Sequence, residues 1–254
     1  MQRVTLKCLG SSSSGNGYLL ETENEALMLE CGIAMKHVKK SLNWNLSKVV
    51  ACLISHKHQD HSKHLPEVLN CGIRVMALDE VFDRVNDCDR TFCRAIEPKH
   101  GYKVGGFKIL AFDLDHANND RSPCPCLGFL IEHEDMGKLL FVTDTMMLRY
   151  QFPGVNHIMI EANYEDGMLD YNIEQGVTES WQKPRLLASH LEIRQTAKIL
   201  QRADLNTVQN IVLLHLSSRN SDAELFKQMA QEATGKPVYI ARPGLELELT
   251  KQPY

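Results

Sequence analysis

Ser55-His56-Lys57-His58-Gln59-Asp60-His61 puts four ligand-type side chains into six consecutive positions, where an apolar run from Val49 to Ile54 gives way to a helical pattern. Residues two apart at a strand end project to the same side, so His56 and His58 converge on one point. Asp60 and His61, opening the next helix, turn toward a second. That spacing suits two metal ions a few ångströms apart. With 11 histidines in 254 residues, HxHxDH arises by chance somewhere in such a chain with a frequency on the order of 10⁻³. The alternative is a polar loop in which Asp60 only caps the helix, and four such side chains in six positions make a poor cap.

Further ligand types stand at the ends of other apolar runs. His116 follows Phe107 to Leu114. Asp144, in Phe141-Val142-Thr143-Asp144-Thr145, ends a run too apolar to tolerate an unpaired carboxylate. His215, in Val212-Leu213-Leu214-His215-Leu216-Ser217, is in the same situation. Each alone reads as an ordinary hydrogen-bonded side chain; together with the heptapeptide they read as a ligand set.

Outward from the motif, β-type runs alternate with amphipathic helices. Strands are expected at Val4 to Leu9, Tyr18 to Glu21, Ala26 to Glu30, Val49 to Ile54 and Ile73 to Leu78, with helices near Met35 to Leu42 and Asp60 to Asn70. Phe107 to Leu114, Leu127 to His133 and Lys138 to Val142 read as antiparallel strands, the last two joined by a turn at Glu134-Asp135-Met136-Gly137. Strands His157 to Ile160, Ile211 to Leu214 and Val238 to Ala241 then alternate with helices Glu192 to Arg202 and Asp222 to Thr234. No repeat and no linker composition interrupts this, so residues 1–254 are expected to form a single domain of two meander-plus-helix halves.

Composition bounds the rest. A chain 43% apolar and 24% charged is that of an ordinary globular protein, and a net charge of −4 supplies no bulk field for polyanions or anionic membranes. No apolar stretch nears the roughly 20 residues of a membrane span, and the first residues lack the apolar core of a secretory signal, which points to the cytoplasm. The eight cysteines are expected as free thiols. Cys124-Pro125-Cys126 reads as two thiols in a loop, since no second Cys/His pair stands at finger spacing.

The chain resembles the metallo-β-lactamase superfamily of hydrolases, and within it the YycJ/WalJ branch, itself similar to PhnP-type phosphodiesterases and tRNase Z. The residues that carry the resemblance are Gly10-Ser11-Ser12-Ser13-Ser14-Gly15-Asn16, the HxHxDH string, Val142-Thr143-Asp144-Thr145, Glu161-Ala162-Asn163 with Met168-Leu169, Ser189-His190-Leu191 and Leu214-His215-Leu216-Ser217. It implies an α/β (α+β) fold, a four-layer αββα sandwich with a two-metal site at one edge of the sheets. It further implies that His56, His58 and His116 hold one divalent ion, that Asp60, His61 and His215 hold the other, and that Asp144 bridges both. His190, ahead of the last ligand, would assist catalysis alongside Asp60 and Asp144. The chain departs from the family pattern where Glu30-Cys31-Gly32 replaces an Asp-Cys-Gly sequence and where Tyr164 follows Asn163 in place of His. The cysteine-rich stretch from Asn118 to Cys126 is also longer than expected.

Two divalent ions, zinc or manganese on this donor set, would share a hydroxide able to attack a phosphodiester in line. With 45 residues between Asp144 and His190, no inserted RNA-processing domain is expected. The 39 residues after His215 leave no room for a helical thioester-substrate domain. The branch implies DNA as substrate and an exonuclease working from 5′ ends. Lys57, Lys63, Arg121, Arg149, Lys183, Arg185, Arg194 and Arg219 are the candidate phosphate contacts. A small cyclic phosphodiester as substrate and a non-catalytic metal-binding scaffold are the alternatives.

Overall fold

In the computed structural model, residues 2–251 apart from 84 and 86 are described, with side chains left out at 87–89. In chain order the elements are β1 (Thr5–Gly10), β2 (Gly17–Glu21), β3 (Ala26–Leu29), α1 (Met35–Ser41), β4 (Val49–Leu53), α2 (Gln59–Ser62), α3 (Leu65–Asn70), β5 (Val75–Ala77), β6 (Cys93–Ala95) and β7 (Gly101–Val104). Then come β8 (Phe107–Ala117), β9 (Pro123–His133), β10 (Gly137–Val142), β11 (His157–Glu161), α4 (Asp166–Glu174), α5 (Gln182–Ser189), α6 (Ile193–Arg202), β12 (Asn210–Leu214), α7 (Ala223–Thr234), β13 (Val238–Ile240) and β14 (Glu246–Glu248).

The strands form two mixed seven-stranded sheets, ordered β14-β1-β2-β3-β4-β5-β6 and β13-β12-β11-β10-β9-β8-β7. In each, an antiparallel portion gives way to a parallel one: β3 to β6 pair in parallel in the first, β10 to β13 in the second. The chain divides into two compact units, the first Met1–Phe112 with Phe129–Gly137 and Ala241–Tyr254, the second Asp113–Gly128 with Lys138–Ile240.

In the first unit α1 and α3 turn Met35, Val38, Leu65, Val68 and Leu69 onto Met28, Cys52, Val75 and Ala77 of the sheet. Each such aliphatic side chain contributes about 1.5–3 kcal/mol on burial. In the second unit α6 and α7 pack together, and their ends are closed locally. Glu192 accepts from the amides of Arg194 and Gln195, Asp222 from those of Glu224 and Leu225, and Gly235 ends α7 at φ 66°.

Several boundaries depart from the sequence pattern. The helix expected over 60–70 is two helices, broken at Lys63 and His64. Pro66 sits in the first turn of α3, where its missing N–H is harmless, but an uninterrupted helix would have needed that N–H. β8 runs three residues past Leu114, so His116 lies inside a strand. β9 starts at Pro123, which puts Cys124 and Cys126 on a strand, both buried, rather than in a loop. No disulfide joins the seven cysteines whose side chains are described; Cys88 lies outside them. Strands β6, β7 and β14 and helices α4 and α5 escaped the pattern reading. β6 is three residues of partly exposed edge, and α5 carries Pro184, which reads as a breaker but is tolerated in a first turn. Among the described residues, no helix is long and apolar enough to cross a membrane.

Candidate metal centre

The first unit presents its ligand types from one loop. β4 delivers Ile54, Ser55 and His56 into full burial, and α2 begins one residue after His58. The His56 ring lies 4.6 Å from that of His58, edge-on, and 4.3 Å from that of His61. Asp60 sits inside α2, and its N-cap, His58, makes no side-chain cap bond, so the motif is not built as a capped helix start. The Ser55 hydroxyl meets His56 Nδ1 at 2.9 Å, which fixes the ring, and His56 Nε2 is buried. Asn16 Nδ2 reaches His61 Nε2 at 3.1 Å and Asp60 Oδ2 at 3.4 Å.

Behind this loop stands the Glu30-Cys31-Gly32 segment. Glu30 is fully buried, accepts from the Ser55 amide at 3.2 Å and approaches His61 Nδ1 at 3.5 Å. Glu30 has φ 64°, a left-handed conformation that costs a non-glycine residue about 1–3 kcal/mol. Cys31 N donates to His61 O at 2.8 Å and Asn16 N to Asp60 O at 2.7 Å. Gly32 is required by this contact, since a Cβ there would lie 1.8 Å from Asp60 O. Burial, with Cys52 and Glu30 adding to it, holds the Cys31 thiol well above its ordinary pKa and keeps it an inert packing group.

The second unit assembles its ligand types from separate strand ends. β10, β11 and β12 run in parallel register, Val142 opposite Ile160 and Glu161 opposite Leu214. Their C-terminal ends therefore bring Asp144, Glu161 and His215 together, and His190 arrives from the C-cap of α5. One ligand atom from each of these four buried residues lies within 4.8 Å of the others. His215 Nδ1 is 2.5 Å from Asp144 Oδ1, which also accepts from Thr143 Oγ1 at 2.9 Å. His215 has φ 52°, the same strained region as Glu30 and likewise one residue past a buried strand. His116 donates Nδ1–H to the Ser189 carbonyl at 2.9 Å, which sets its tautomer, and its ring lies 5.7 Å from that of His190. The Cys126 thiol donates to the Asp144 carbonyl at 3.6 Å.

Glu161, which in the sequence stands only among the residues that carry the family resemblance, completes this cluster. It is fully buried; Oε1 lies 2.6 Å from His190 Nδ1, and Oε2 accepts from the amides of Thr145 and Leu191, each at 3.1 Å. The signal was there: Glu161 ends the apolar run Ile158 to Ile160 much as Asp144 ends Phe141-Val142. His190 is thus the end of one helix held by a carboxylate, two residues before the N-cap of the next. Nearby Tyr164 is buried, and burial, with the charges of Asp166, Glu192 and Glu161, raises its hydroxyl pKa and keeps it neutral.

Imidazole and carboxylate donors, several with a second partner that sets the tautomer, are the groups a borderline divalent cation takes, and these residues fit one. Of the eight candidate cations, four meet carboxylates instead: Lys57 with Glu80, Arg149 with Asp115, Lys183 with Asp170, and Arg194 with Glu165 and Glu192.

Two mixed sheets flanked by helices, with histidines and acids gathered at strand ends, define a metallo-hydrolase architecture. Residues 31–216 match the family described as beta-lactamase superfamily domain, and the chain belongs to that superfamily. It is similar to exodeoxyribonuclease WalJ of Streptococcus pneumoniae, 26% identical over 268 residues with 96% of both chains covered. It is also similar to exodeoxyribonuclease YycJ of Bacillus anthracis, 24% identical over 241 residues covering 88% of this chain and 86% of that one. Among solved structures, the metallo-β-lactamase fold protein YhfI of Bacillus subtilis superposes with a TM-score of 0.71 at 16% identity, covering 97% and 99% of the two chains. The fold expected from the sequence is the fold found.

Proposed function

We propose that the protein is a metal-dependent phosphodiester hydrolase acting on DNA as an exonuclease from 5′ ends. The observation that carries this reading is the cluster of Asp144, Glu161, His190 and His215, two imidazoles and two carboxylates converging at the ends of buried strands. It is supported by full-length similarity to two proteins named exodeoxyribonucleases. In this reading, as the family resemblance implies, His56, His58 and His116 would hold one divalent ion, Asp60, His61 and His215 would hold a second, and Asp144 would serve both. Bound zinc or manganese would supply Lewis-acid activation of water and neutralise charge on the phosphoryl oxygens.

The remaining work falls to the chain's own groups. Glu161 fixes the proton of His190 on Nδ1, so Nε2 is the atom turned to substrate. When Nε2 also carries a proton, it donates to the leaving oxygen and passes that proton to it as the ester bond breaks. Thr143 and Cys126 hold Asp144 from the side-chain and main-chain directions.

Linear duplex DNA, 5′-phosphorylated and labelled at either end, tests the reading with manganese or zinc present. Progressive loss of mononucleotides from 5′ ends is expected. Asp144→Ala is expected to abolish it while retaining the far-ultraviolet spectrum and dropping below two ions per chain. Turnover of a cyclic nucleotide diester with no action on DNA would replace the nuclease by a small-molecule phosphodiesterase. A protein holding no metal, with neither substrate turned over, would leave the scaffold reading.

A further inference from the structure

We propose that a cavity between α6 and the second sheet binds a free α-amino acid with an apolar side chain. Arg202 is its partner for the carboxylate and Asp204 its partner for the ammonium. Such a site is independent of the phosphodiester chemistry proposed above.

The cavity has a volume of about 200 Å³ and lies within the second unit. Its floor is apolar, built by Leu140, Ile158 and Ile160 of β10 and β11 with Ile199 and Leu200 of α6. Side chains alternate along a strand, so Ile158 and Ile160 point to the face opposite that of Glu161. The cavity is therefore separate from the metal-ligand cluster. One wall is formed by Tyr150 and Phe152, whose ring centroids lie 6.1 Å apart. It is pinned from β8: the Tyr150 hydroxyl donates to Asp113 at 2.5 Å, and Arg149 donates to Asp115 through Nε at 2.7 Å and Nη2 at 2.8 Å. A wall held in this way is pre-organised, which lowers the ordering cost of binding.

Size and charge set the ligand. A cavity of about 150 Å³ takes a benzene ring, and drug-sized ligands fill about 300–1,000 Å³. The volume here suits one ring or one branched aliphatic group. The mouth carries both signs of charge. Arg202, exposed in the last turn of α6, and Asp204, exposed two residues on, both line it, and among the described residues neither is in an ion pair. Asp204 Oδ1 accepts from the Asn206 amide at 3.2 Å. Arg149 also lines the cavity, but its guanidinium is already held by Asp115. A carboxylate on Arg202 gains a charge-assisted hydrogen bond. An ammonium beside it is met by Asp204 and by the carbonyl end of α6, where cations are favoured. An apolar acid without the amine would face Asp204, and an apolar amine without the acid would face Arg202, so the pair of charges favours the zwitterion over either half.

Isothermal titration of the wild-type protein with L-phenylalanine and L-leucine is expected to show saturable binding at one site per chain. Phenylpropionate and phenylethylamine, which lack the ammonium and the carboxylate in turn, should each bind about ten-fold more weakly or worse, the loss of one charge-assisted hydrogen bond. Arg202→Ala should weaken L-phenylalanine by about ten- to a hundred-fold. Asp204→Asn should weaken it too, while phenylpropionate binds no worse. Ala203→Phe, which fills the cavity from its lining, should abolish binding at an unchanged urea midpoint. Arg202 and Asp204 are exposed, so their variants decide the matter should Ala203→Phe fail to fold. No binding of either amino acid at millimolar concentration overturns the site. So does phenylpropionate binding as tightly as L-phenylalanine with no response to Asp204→Asn, which makes the cavity a pocket for apolar anions. Undiminished binding in a folded Ala203→Phe overturns it as well, by placing the ligand elsewhere. All of these are read without DNA or cleavage, so failure here leaves the nuclease reading standing.

Discussion

The loop after β4 and the strand ends of the second unit gather the same side-chain chemistry by different means. His56, His58, Asp60 and His61 come from one turn of chain, and what backs them is largely main chain: Asn16 N on Asp60 O, Cys31 N on His61 O, His64 N on Cys31 O. Asp144, Glu161, His190 and His215 come from four separate segments, and what binds them is side chain on side chain or on amide, with Glu161 at the centre. The first arrangement depends on how closely two stretches of backbone approach, the second on the chemistry of one carboxylate. Each also holds one non-glycine residue in the left-handed region, Glu30 and His215, a strain of about 1–3 kcal/mol that surrounding contacts must offset. Steric changes should therefore injure the first region most, and isosteric chemical changes the second.

Gly32→Ala is the largest expected break. The new Cβ meets Asp60 O at 1.8 Å, Asp60 C at 2.5 Å and Asn16 N at 2.7 Å, all backbone atoms that cannot turn aside. Stability should fall by about 3 kcal/mol, the upper end for overpacking, read as a lower urea midpoint with unchanged slope. Metal bound per chain should fall with it. A midpoint within experimental error of the wild type would show that the main-chain cradle is not what holds the loop.

Glu161→Gln changes almost no volume and tests the other half. The amide oxygen can still accept from Thr145 N or Leu191 N, but a neutral side chain no longer anchors the His190 Nδ1–H as a carboxylate does. An outer partner of this kind is worth about 10- to 100-fold in metal affinity or activity. A loss of that size is expected in kcat for DNA, with the urea midpoint moved by less than in Gly32→Ala. Equal loss of stability in both variants would erase the distinction between the two regions.

The same contrast explains what could be read in advance. HxHxDH was legible because its four ligand-type side chains are neighbours in sequence, so one strand-to-helix junction fixes their geometry. Asp144 and His215 were legible as polar residues ending runs that bury, a pattern that needs no knowledge of the partner strand. Glu161 follows the same pattern, yet its role depends on pairing with His190, 29 residues away, which spacing alone does not reveal. The strand start at Pro123 was hidden because proline and two cysteines read as a loop, although the first residue of a strand tolerates proline. α5 was hidden for a related reason, its Pro184 lying in a first turn. Half of the candidate phosphate contacts were lost to carboxylates that only the folded chain brings near.

Ser55→Ala is the smallest expected effect and the finest test of the comparison. Ser55 is fully buried, its amide donates to Glu30 and its hydroxyl meets His56 Nδ1 at 2.9 Å. Alanine keeps the amide contact and therefore the main-chain scaffold; it removes only the hydroxyl that sets the imidazole. The net worth of one neutral hydrogen bond is about 1 kcal/mol, so metal affinity should weaken about five-fold and stability change by no more than that single bond. If the first region is held by backbone, as its contacts indicate, the loss in this variant, read by metal titration, stays far smaller than the loss in kcat of Glu161→Gln. A loss at His56 matching that at Glu161 would mean that side-chain orientation governs both regions, and the main-chain contacts at Asn16 and Cys31 would then serve packing alone.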